Sequence, residues 1–340
     1  DSCSGFCIKN SATGVLLRWR NHKKALPAKG MITILSVFEI SRMTNHNGPG
    51  IRTLVHFKGC PLRCKWCSTP ESQLREPELL YKSARCIMCG SCMKACPNGA
   101  IKPEGTPDGK MAIDRALCKK CFACARECCT KALSKAGAEW TVDELEKEVL
   151  KDEVFFKTSG GGVTFSGGEP LMFVDDDMTE LYRRLYEKGV SIGVDTTGYV
   201  PWKNIEAVLP YVDFFLWDLK VMDPEKHKEF TGVDNRLILE NLEKIEEKSK
   251  EYGTKVYIRC VQIPKHTDYD ENLAETCKYL AGKACIEELD IINLHHLGMK
   301  RYQASGHKYL MDGYEPLPKD VLEHKKALVD SFGIPCKISR

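Results

Sequence analysis

Eighteen cysteines stand in this 340-residue chain, and eleven of them fall into three groups spaced as metal ligands are. The first group is Cys60-x3-Cys64-x2-Cys67. The second is Cys86-x2-Cys89-x2-Cys92-x3-Cys96, followed by Pro97. The third is Cys118-x2-Cys121-x2-Cys124-x3-Cys128, followed by Cys129. Thiolates at such intervals on polar loops are ligands for iron–sulfur clusters. The first group differs from the others because it offers three thiols and has no fourth nearby. A four-iron cluster held there would keep one iron free of protein, and an open metal position belongs to a reactive site rather than a structural one. Gly59, Pro61, Arg63 and Lys65 make this segment a polar loop, which argues against three cysteines packed into a core.

The second and third groups each repeat the run of two-cluster bacterial ferredoxins, in which the fourth cysteine of one run serves the other cluster. One cluster is expected on Cys86, Cys89, Cys92 and Cys128, and the other on Cys118, Cys121, Cys124 and Cys96. Cys129 occupies the place where a proline often follows, so an exchange of Cys128 for Cys129 stays open. Zinc prefers paired C-x2-C units split by a longer loop, and the two complete runs do not offer that pattern. Seven cysteines remain, Cys3, Cys7, Cys129, Cys260, Cys277, Cys285 and Cys336; they are scattered and receive no chemistry.

The elements that must position these loops show in the hydrophobic pattern. Strands are expected at 52–57, 163–166, 190–195, 214–219, 255–263, 289–294 and 335–338. Helices are expected at 141–151, 175–188 and 235–251, the last from Leu237, Leu239, Leu242 and Ile245 at helical spacing. Thr141 and Asp175 are N-cap candidates. Strands alternating with helices indicate parallel βα units and an α/β fold. The unusual residues cluster just after the strands: the Cys60 loop, then Ser166, Gly167, Gly168, Glu169 and Pro170, then Asp195, Thr196, Thr197 and Gly198, then Asp218, Leu219 and Lys220, then His295 and His296. In βα barrels the carboxyl ends of the strands carry the active site. Any one of these groups could be turn punctuation, but five in succession point to one face of one barrel.

Charge is uneven. The net charge is +3, yet residues 81–135 carry eleven Lys/Arg against four acids, and residues 1–30 carry six against one. A basic patch can mark a nucleic-acid partner. Here the cations lie among nine cysteines, where they can offset anionic clusters, and no stacking motif accompanies them, so no nucleic-acid partner is expected. No apolar run approaches the ~18 residues a membrane span needs, and the apolar run at 15–17 is too short for a secretory signal beside Arg18 and Arg20. A cytoplasmic location without a membrane partner is expected, and a cytosolic chain so rich in cysteine reads as metal-binding rather than disulfide-bonded. Residues 1–30 form an extension before Met31, 31–80 the first part of the barrel, 81–135 an insertion and 136–340 the remainder.

The stretch Gly48-Pro-Gly-Ile-Arg52, then Gly59-Cys-Pro-Leu-Arg-Cys-Lys-Trp-Cys67, resembles the radical S-adenosylmethionine (SAM) superfamily. Together with Ser166-Gly-Gly-Glu-Pro170, Asp195-Thr-Thr-Gly198, Trp217-Asp-Leu-Lys220 and Leu294-His-His-Leu-Gly298, it is similar to the glycyl-radical-enzyme activating enzymes, relatives of pyruvate formate-lyase activating enzyme. The insertion resembles that of the larger members. The chain departs from the family at Asn47, where an aspartate is frequent, and at Ser68-Thr-Pro-Glu71, where His-Asn-Pro-Glu is frequent. The resemblance implies a partial (β/α)6 TIM-type radical SAM barrel with an inserted bacterial-ferredoxin-like two-cluster domain and three [4Fe-4S] clusters.

It further implies that Cys60, Cys64 and Cys67 hold the cluster whose open iron binds SAM. Reductive cleavage then gives a 5′-deoxyadenosyl radical that takes hydrogen from a backbone glycine of a partner glycyl radical enzyme. A flavodoxin or ferredoxin-type protein is implied as electron donor. On this reading Trp66, Cys67 and Ser68 pack beside the adenine, Gly167 and Gly168 allow close approach, and Glu169 accepts from the ligand's amino group. His296 reaches the ribose, Arg259 supplies a cation, and Asp218, Leu219 and Lys220 flank the ligand. Asp195, Thr196 and Asp218 resemble a monovalent-cation site. The rival readings are a radical SAM enzyme acting on a small molecule and a non-catalytic iron–sulfur electron carrier.

Overall fold

The structure is a computed structural model and describes residues 35–105 and 110–339. The expected 1–30 extension, with Cys3 and Cys7, lies outside the described residues. The described chain begins with an antiparallel pair, β1 (Leu35–Thr44) and β2 (Arg52–Phe57). It then makes an excursion through β3 (Glu78–Tyr81), α1 (Ser91–Ala95), β4 (Ile101–Pro103), β5 (Met111–Ile113), α2 (Ala123–Arg126) and β6 (Leu133–Ala136). The strand β7 (Ala138–Trp140) returns to pair with β1. From there helices and strands alternate: α3 (Val142–Val149), α4 (Glu153–Ser159), β8 (Gly162–Gly167), α5 (Asp176–Glu187), β9 (Ser191–Thr196), α6 (Trp202–Val208) and β10 (Phe214–Asp218). The series ends with α7 (Pro224–Thr231), α8 (Arg236–Tyr252), β11 (Lys255–Gln262), α9 (Asp270–Leu280), β12 (Ile286–Asn293), α10 (Met299–Ser305), α11 (Lys319–Asp330) and β13 (Cys336–Ser339).

The main sheet runs β13-β12-β11-β10-β9-β8-β2-β1-β7. From β2 through β8 to β13 every neighbouring pair is parallel. Each parallel strand lies beside the next one in the chain, so the helical crossovers all wind the same way and leave the helices on one face. Alternate side chains separate the faces. Val163, Phe165, Ile192, Val194, Phe215, Trp217, Ile258 and Ile291 pack outward against the helices in one continuous core. Thr164, Ser166, Asp195, Asp218 and Arg259 occupy the alternate positions.

The helices fit the sheet by their apolar stripes. Met178, Leu181, Tyr182 and Leu185 of α5 are buried at the expected 3.6-residue period, and Asp175 caps the helix by accepting from the Met178 amide. Burying each such side chain contributes about 1.5–3 kcal/mol. Thr141 and Glu144 form a capping box at the start of α3. The stripe on α8 is displaced from expectation: Ile238, Asn241, Leu242 and Ile245 are buried, while Leu237 and Leu239 are only partly so. Asn241 sits in that stripe because its amide donates to the carbonyls of Gly198 and Val200, both at 2.8 Å.

The Gly-Pro-Gly-Ile-Arg segment lies at the amino ends of the strands, opposite the cysteine loop. Arg52 is buried there, its guanidinium donating to Thr164 Oγ1 at 2.7 Å and to the carbonyls of Val163 and Ser191 at 2.6 and 2.9 Å. It also stacks 4.8 Å from the Phe214 ring centroid. Burial lowers its pKa to about 10, which still leaves it charged. Gly48, at φ +116°, admits Phe214 beneath the sheet, since a Cβ there would stand 2.2 Å from the ring. Among the described residues no helix is long and apolar enough to cross a membrane.

Candidate active site

A cavity of about 320 Å³ opens on the concave face of the sheet. Its walls take Leu54 and His56 from β2, Ser166 from β8, Asp195 from β9, Asp218 from β10, Arg259 from β11 and Asn293 from β12. A flat sheet could not bring six strands to one cavity, so the sheet curls round it as an open barrel. Cys60, Cys64 and Cys67 stand together in the wall and, among the described residues, are the only cysteines there.

Backbone bonds hold the cysteine loop from both sides. The amides of Arg63 and Lys65 donate to the carbonyls of Thr231 (2.6 Å) and Phe230 (3.1 Å) at the end of α7. The Cys60 amide donates to Gln73 at 3.1 Å, and the Glu169 amide donates to Gly59 at 2.8 Å. Burial pushes the Cys64 thiol up to about 12 and raises Cys60 and Cys67 as well. Such thiols stay protonated and inert alone; a bound iron would displace their protons. Three clustered thiols on a loop held from both sides by backbone bonds fit an iron–sulfur group with an open corner.

The two glycines after β8 have a different reason from the one expected. A Cβ on Gly167 would lie 2.6 Å from the Phe57 backbone, and one on Gly168 would lie 2.3 Å from the Gly59 carbonyl oxygen and 2.9 Å from that of Ser72. Both glycines line the cavity, and neighbouring backbone requires them as well, that of β2 at Gly167 and that flanking the cysteine loop at Gly168. Glu169 also differs from expectation. It is buried beneath the wall rather than in it, and its carboxylate accepts from Thr196 Oγ1 (2.6 Å), the Leu171 amide (3.2 Å), the Thr197 amide (2.9 Å) and Thr197 Oγ1 (2.8 Å). Four internal donors leave it tied to the β9 turn. Desolvation raises its pKa, and these donors partly oppose the rise.

The acidic groups expected to hold a monovalent cation are matched by side-chain cations. Asp195 pairs with Arg259 at 2.9 Å and accepts from Ser166 Oγ at 2.8 Å. Asp218 pairs with Lys220 at 2.8 Å, and the Thr196 hydroxyl is spent on Glu169. Burial alone would lower Lys220 and Arg259, but their aspartates hold both above their ordinary values. Each of the three oxygens thus has a side-chain partner of its own.

Trp66, Ser68, Gly167, Gly168, Asp218, Lys220 and Arg259 reach the wall as expected, whereas Leu219 is buried behind it. His296 is also turned away. Its Nε2 donates to the Tyr314 carbonyl at 2.8 Å, and its Nδ1 accepts from the Tyr309 hydroxyl at 2.7 Å. His295 takes the wall position instead, with a buried Nδ1 that has no partner. Both histidines lie in the irregular segment after β12, where strand alternation no longer applies, and the His-His pair itself could not say which faces inward. His56, Thr69 and Gln73 also line the cavity without having been assigned a role; strand parity marks His56, Thr69 falls within Ser68-Thr-Pro-Glu71, and no motif marks Gln73.

The excursion between β3 and β6 holds eight more cysteines around two small hollows. Cys86, Cys89, Cys92 and Cys128 line one. Cys96, Cys118, Cys121 and Cys124 line the other. These are the crossed sets expected from spacing, and Cys128 rather than Cys129 faces inward. The backbone repeats with the cysteines: Met88, Gly90 and Gly99 have left-handed φ values of 56°, 79° and 59°, and Lys120, Phe122 and Lys131 have 52°, 56° and 55°. Each member of the second trio lies 32 residues after its counterpart, as do all four cysteines. The Ala100 and Leu133 amides donate to the sulfurs of Cys96 and Cys128, both at 3.3 Å. Among the described residues no three His, Cys, Asp or Glu side chains converge as one ion would require. Thiols spaced around a hollow suit a four-iron body better than zinc.

The chain matches the family model of the radical SAM superfamily over residues 54–279. It is 38% identical over 310 residues to indoleacetate decarboxylase activating enzyme of Tractidigestivibacter scatoligenes, covering 89% of this chain and 96% of that protein. It is 39% identical to isethionate sulfite-lyase activating enzyme of Oleidesulfovibrio alaskensis, covering 85% and 90%. It is 34% identical to choline trimethylamine-lyase activating enzyme of the same organism, covering 89% and 97%. A solved domain of pyruvate-formate lyase-activating enzyme from Bacteroides vulgatus matches 53% of this chain and all of that one at 25% identity, with a TM-score of 0.44, too loose a likeness to carry weight. The chain therefore belongs to the radical SAM superfamily and, within it, to the activating enzymes of glycyl radical enzymes. That family works with a four-iron cluster and SAM.

Proposed function

We propose that this chain activates a partner glycyl radical enzyme, using SAM bound at the cavity and two further four-iron groups in residues 81–135. The observation that carries the reading is the trio Cys60, Cys64 and Cys67 in the wall of a cavity where, among the described residues, no fourth cysteine stands. When bound, the group held there supplies one electron to the sulfonium of SAM, yielding methionine and a 5′-deoxyadenosyl radical. The chain's own residues position that ligand and keep water from it. Trp66 offers an apolar ring beside Ile263 and Leu294 for the adenine. Ser68, Arg259 and Lys220 offer donors and positive charge to the amino-acid end, and His295 offers a ring nitrogen from the opposite side. Glu169 and His296 act behind the wall, the first fixing the β9 turn and the second fixing the segment before α10. Asp195 and Asp218 pair with Arg259 and Lys220 and, with Thr196, are also read as the site of a monovalent cation beside the ligand.

The radical takes hydrogen from a backbone glycine of the partner, whose loop must reach the cavity mouth. Residues 81–135 are read as a two-cluster insertion between barrel parts 31–80 and 136–340. An acidic flavodoxin or ferredoxin is the donor, and the setting is cytoplasmic, without nucleic acid or membrane. The names of the relatives support a glycyl radical enzyme as substrate rather than a small molecule. Anaerobic reconstitution, reduction and addition of SAM test the proposal, with 5′-deoxyadenosine measured first and the glycyl radical signal on candidate partners second. A fully iron-loaded chain that forms no 5′-deoxyadenosine would be only an electron carrier.

A further inference from the structure

The charge on residues 81–135 has its own geometry. Lys82, Arg85, Lys94, Lys119, Lys120 and Lys131 are all exposed. None of them is in an ion pair with another described residue, although 26 ion pairs occur among the described residues elsewhere. The described acids of the segment are Glu104, Asp114 and Glu127, and Asp114 is engaged in capping the amides of Ala116 and Leu117. Free cations held at this density repel one another. Offsetting the charge of the two cysteine sets accounts for some of them, but not for cations that point outward.

Beside them lies an apolar surface. Ile87 is 65% exposed, Met88 38% and Met93 36%. Ile87 belongs to the wall of the hollow formed by Cys86, Cys89, Cys92 and Cys128, Met88 touches Cys86 with its sulfur at 3.9 Å, and Cys89 itself is exposed. An apolar centre with a charged rim is the anatomy of a protein docking surface. The other hollow faces the barrel: Arg115, whose charge is felt by Cys118 and Cys124, donates to the Ala304 carbonyl of α10 at 3.1 Å. The outer hollow is therefore the one that an approaching protein meets first.

We propose that the surface formed by Ile87, Met88 and Met93, with Lys82, Arg85 and Lys94 around it, docks an acidic one-electron carrier protein over the outer cysteine set. This rests on the reading that the segment holds iron–sulfur groups. Electron exchange is served by a partner seated over the exposed cysteine set, and these cations steer an acidic one to that place and not to the barrel mouth. The mouth is thereby left free for the glycine loop.

The test uses the iron-loaded chain and an acidic flavodoxin as the probe, with affinity read by titration calorimetry at low and high salt. Lys82→Glu, Arg85→Glu and Lys94→Glu combined should weaken binding about tenfold or more at low salt, and wild-type affinity should fall steeply as salt rises. Lys203→Glu with Lys250→Glu, on the far helices, should leave affinity within about twofold. Unchanged affinity in the triple variant overturns the proposal, as does equal weakening by the far pair. If the triple variant instead loses a glycyl radical partner and keeps the flavodoxin, the surface serves that partner and the proposal fails. Iron per chain, measured on every sample, separates these outcomes from failure of the cluster reading: only about four irons in wild type would remove the premise itself.

Discussion

At the scale of single residues, the site divides into groups that face the cavity and groups that hold those in place. Cys64 is in the first class. Cys64→Ala should lower iron by about four atoms per chain, spare the rest, and abolish 5′-deoxyadenosine formation; iron analysis on the anaerobic protein checks both parts, and an unchanged iron content contradicts the assignment. Glu169 is in the second class. Its carboxylate accepts four hydrogen bonds in a buried setting, and an amide in its place would turn one acceptor into a donor facing donors. Glu169→Gln should cost about 2–3 kcal/mol in a denaturant titration. Full stability with lost SAM affinity would instead make Glu169 a direct ligand contact.

At the scale of elements, the turn after β8 and the cysteine loop behave as one piece. The Gly168 Cβ would meet two backbone carbonyl oxygens, and backbone gives way less readily than a side chain. Gly168→Ala should cost about 2–3 kcal/mol and should also weaken SAM binding, because the loop it displaces carries Cys60. Calorimetric binding compared with thermal unfolding distinguishes this from a purely global effect. On α5, Glu180 accepts from Arg183 and Arg184 at 2.7 and 2.8 Å. The hydrogen bond from Arg183, opposed by some burial, holds the carboxyl at about 2. The folded value lies below the unfolded one, so this contribution is complete above about pH 5 and is lost as pH falls through about 2. Glu180→Gln should cost about 1 kcal/mol at neutral pH, reduced from the full shift by solvent screening, and the difference from wild type should vanish in acid.

At the scale of the molecule, the excursion between β3 and β6 has its own small core of Leu79, Ile101, Met111 and Leu133, separate from the barrel core. Cys96 and Cys128 lie in different hollows. Cys96→Ala with Cys128→Ala should therefore lower iron from about twelve to about four per chain while the far-ultraviolet circular dichroism of the barrel persists. If the double variant retains about eight irons, Cys96 and Cys128 are not both cluster ligands and the assignment of the fourth thiolates is wrong.

Much of this was legible in the linear chain, for a physical reason. Ligand spacing is a local property: C-x2-C-x2-C-x3-C sets where thiols fall along a turn whatever surrounds it, and apolar strand runs with helical stripes set the order of βα units. Thr141 and Asp175 act as caps because a cap depends on its next three residues alone. What tertiary structure decided was direction and partnership. Which of His295 and His296 faces inward depends on the irregular segment after β12, where Tyr309 and Tyr314 hold His296 away. Whether Glu169 meets a ligand or the β9 turn depends on donors 27 and 28 residues away. Asp195 and Asp218 were visible as carboxylates, but the cations that balance them, Arg259 across the barrel and Lys220 in the same turn, come into place only when parallel strands are laid side by side and the sheet curls to bring their ends together.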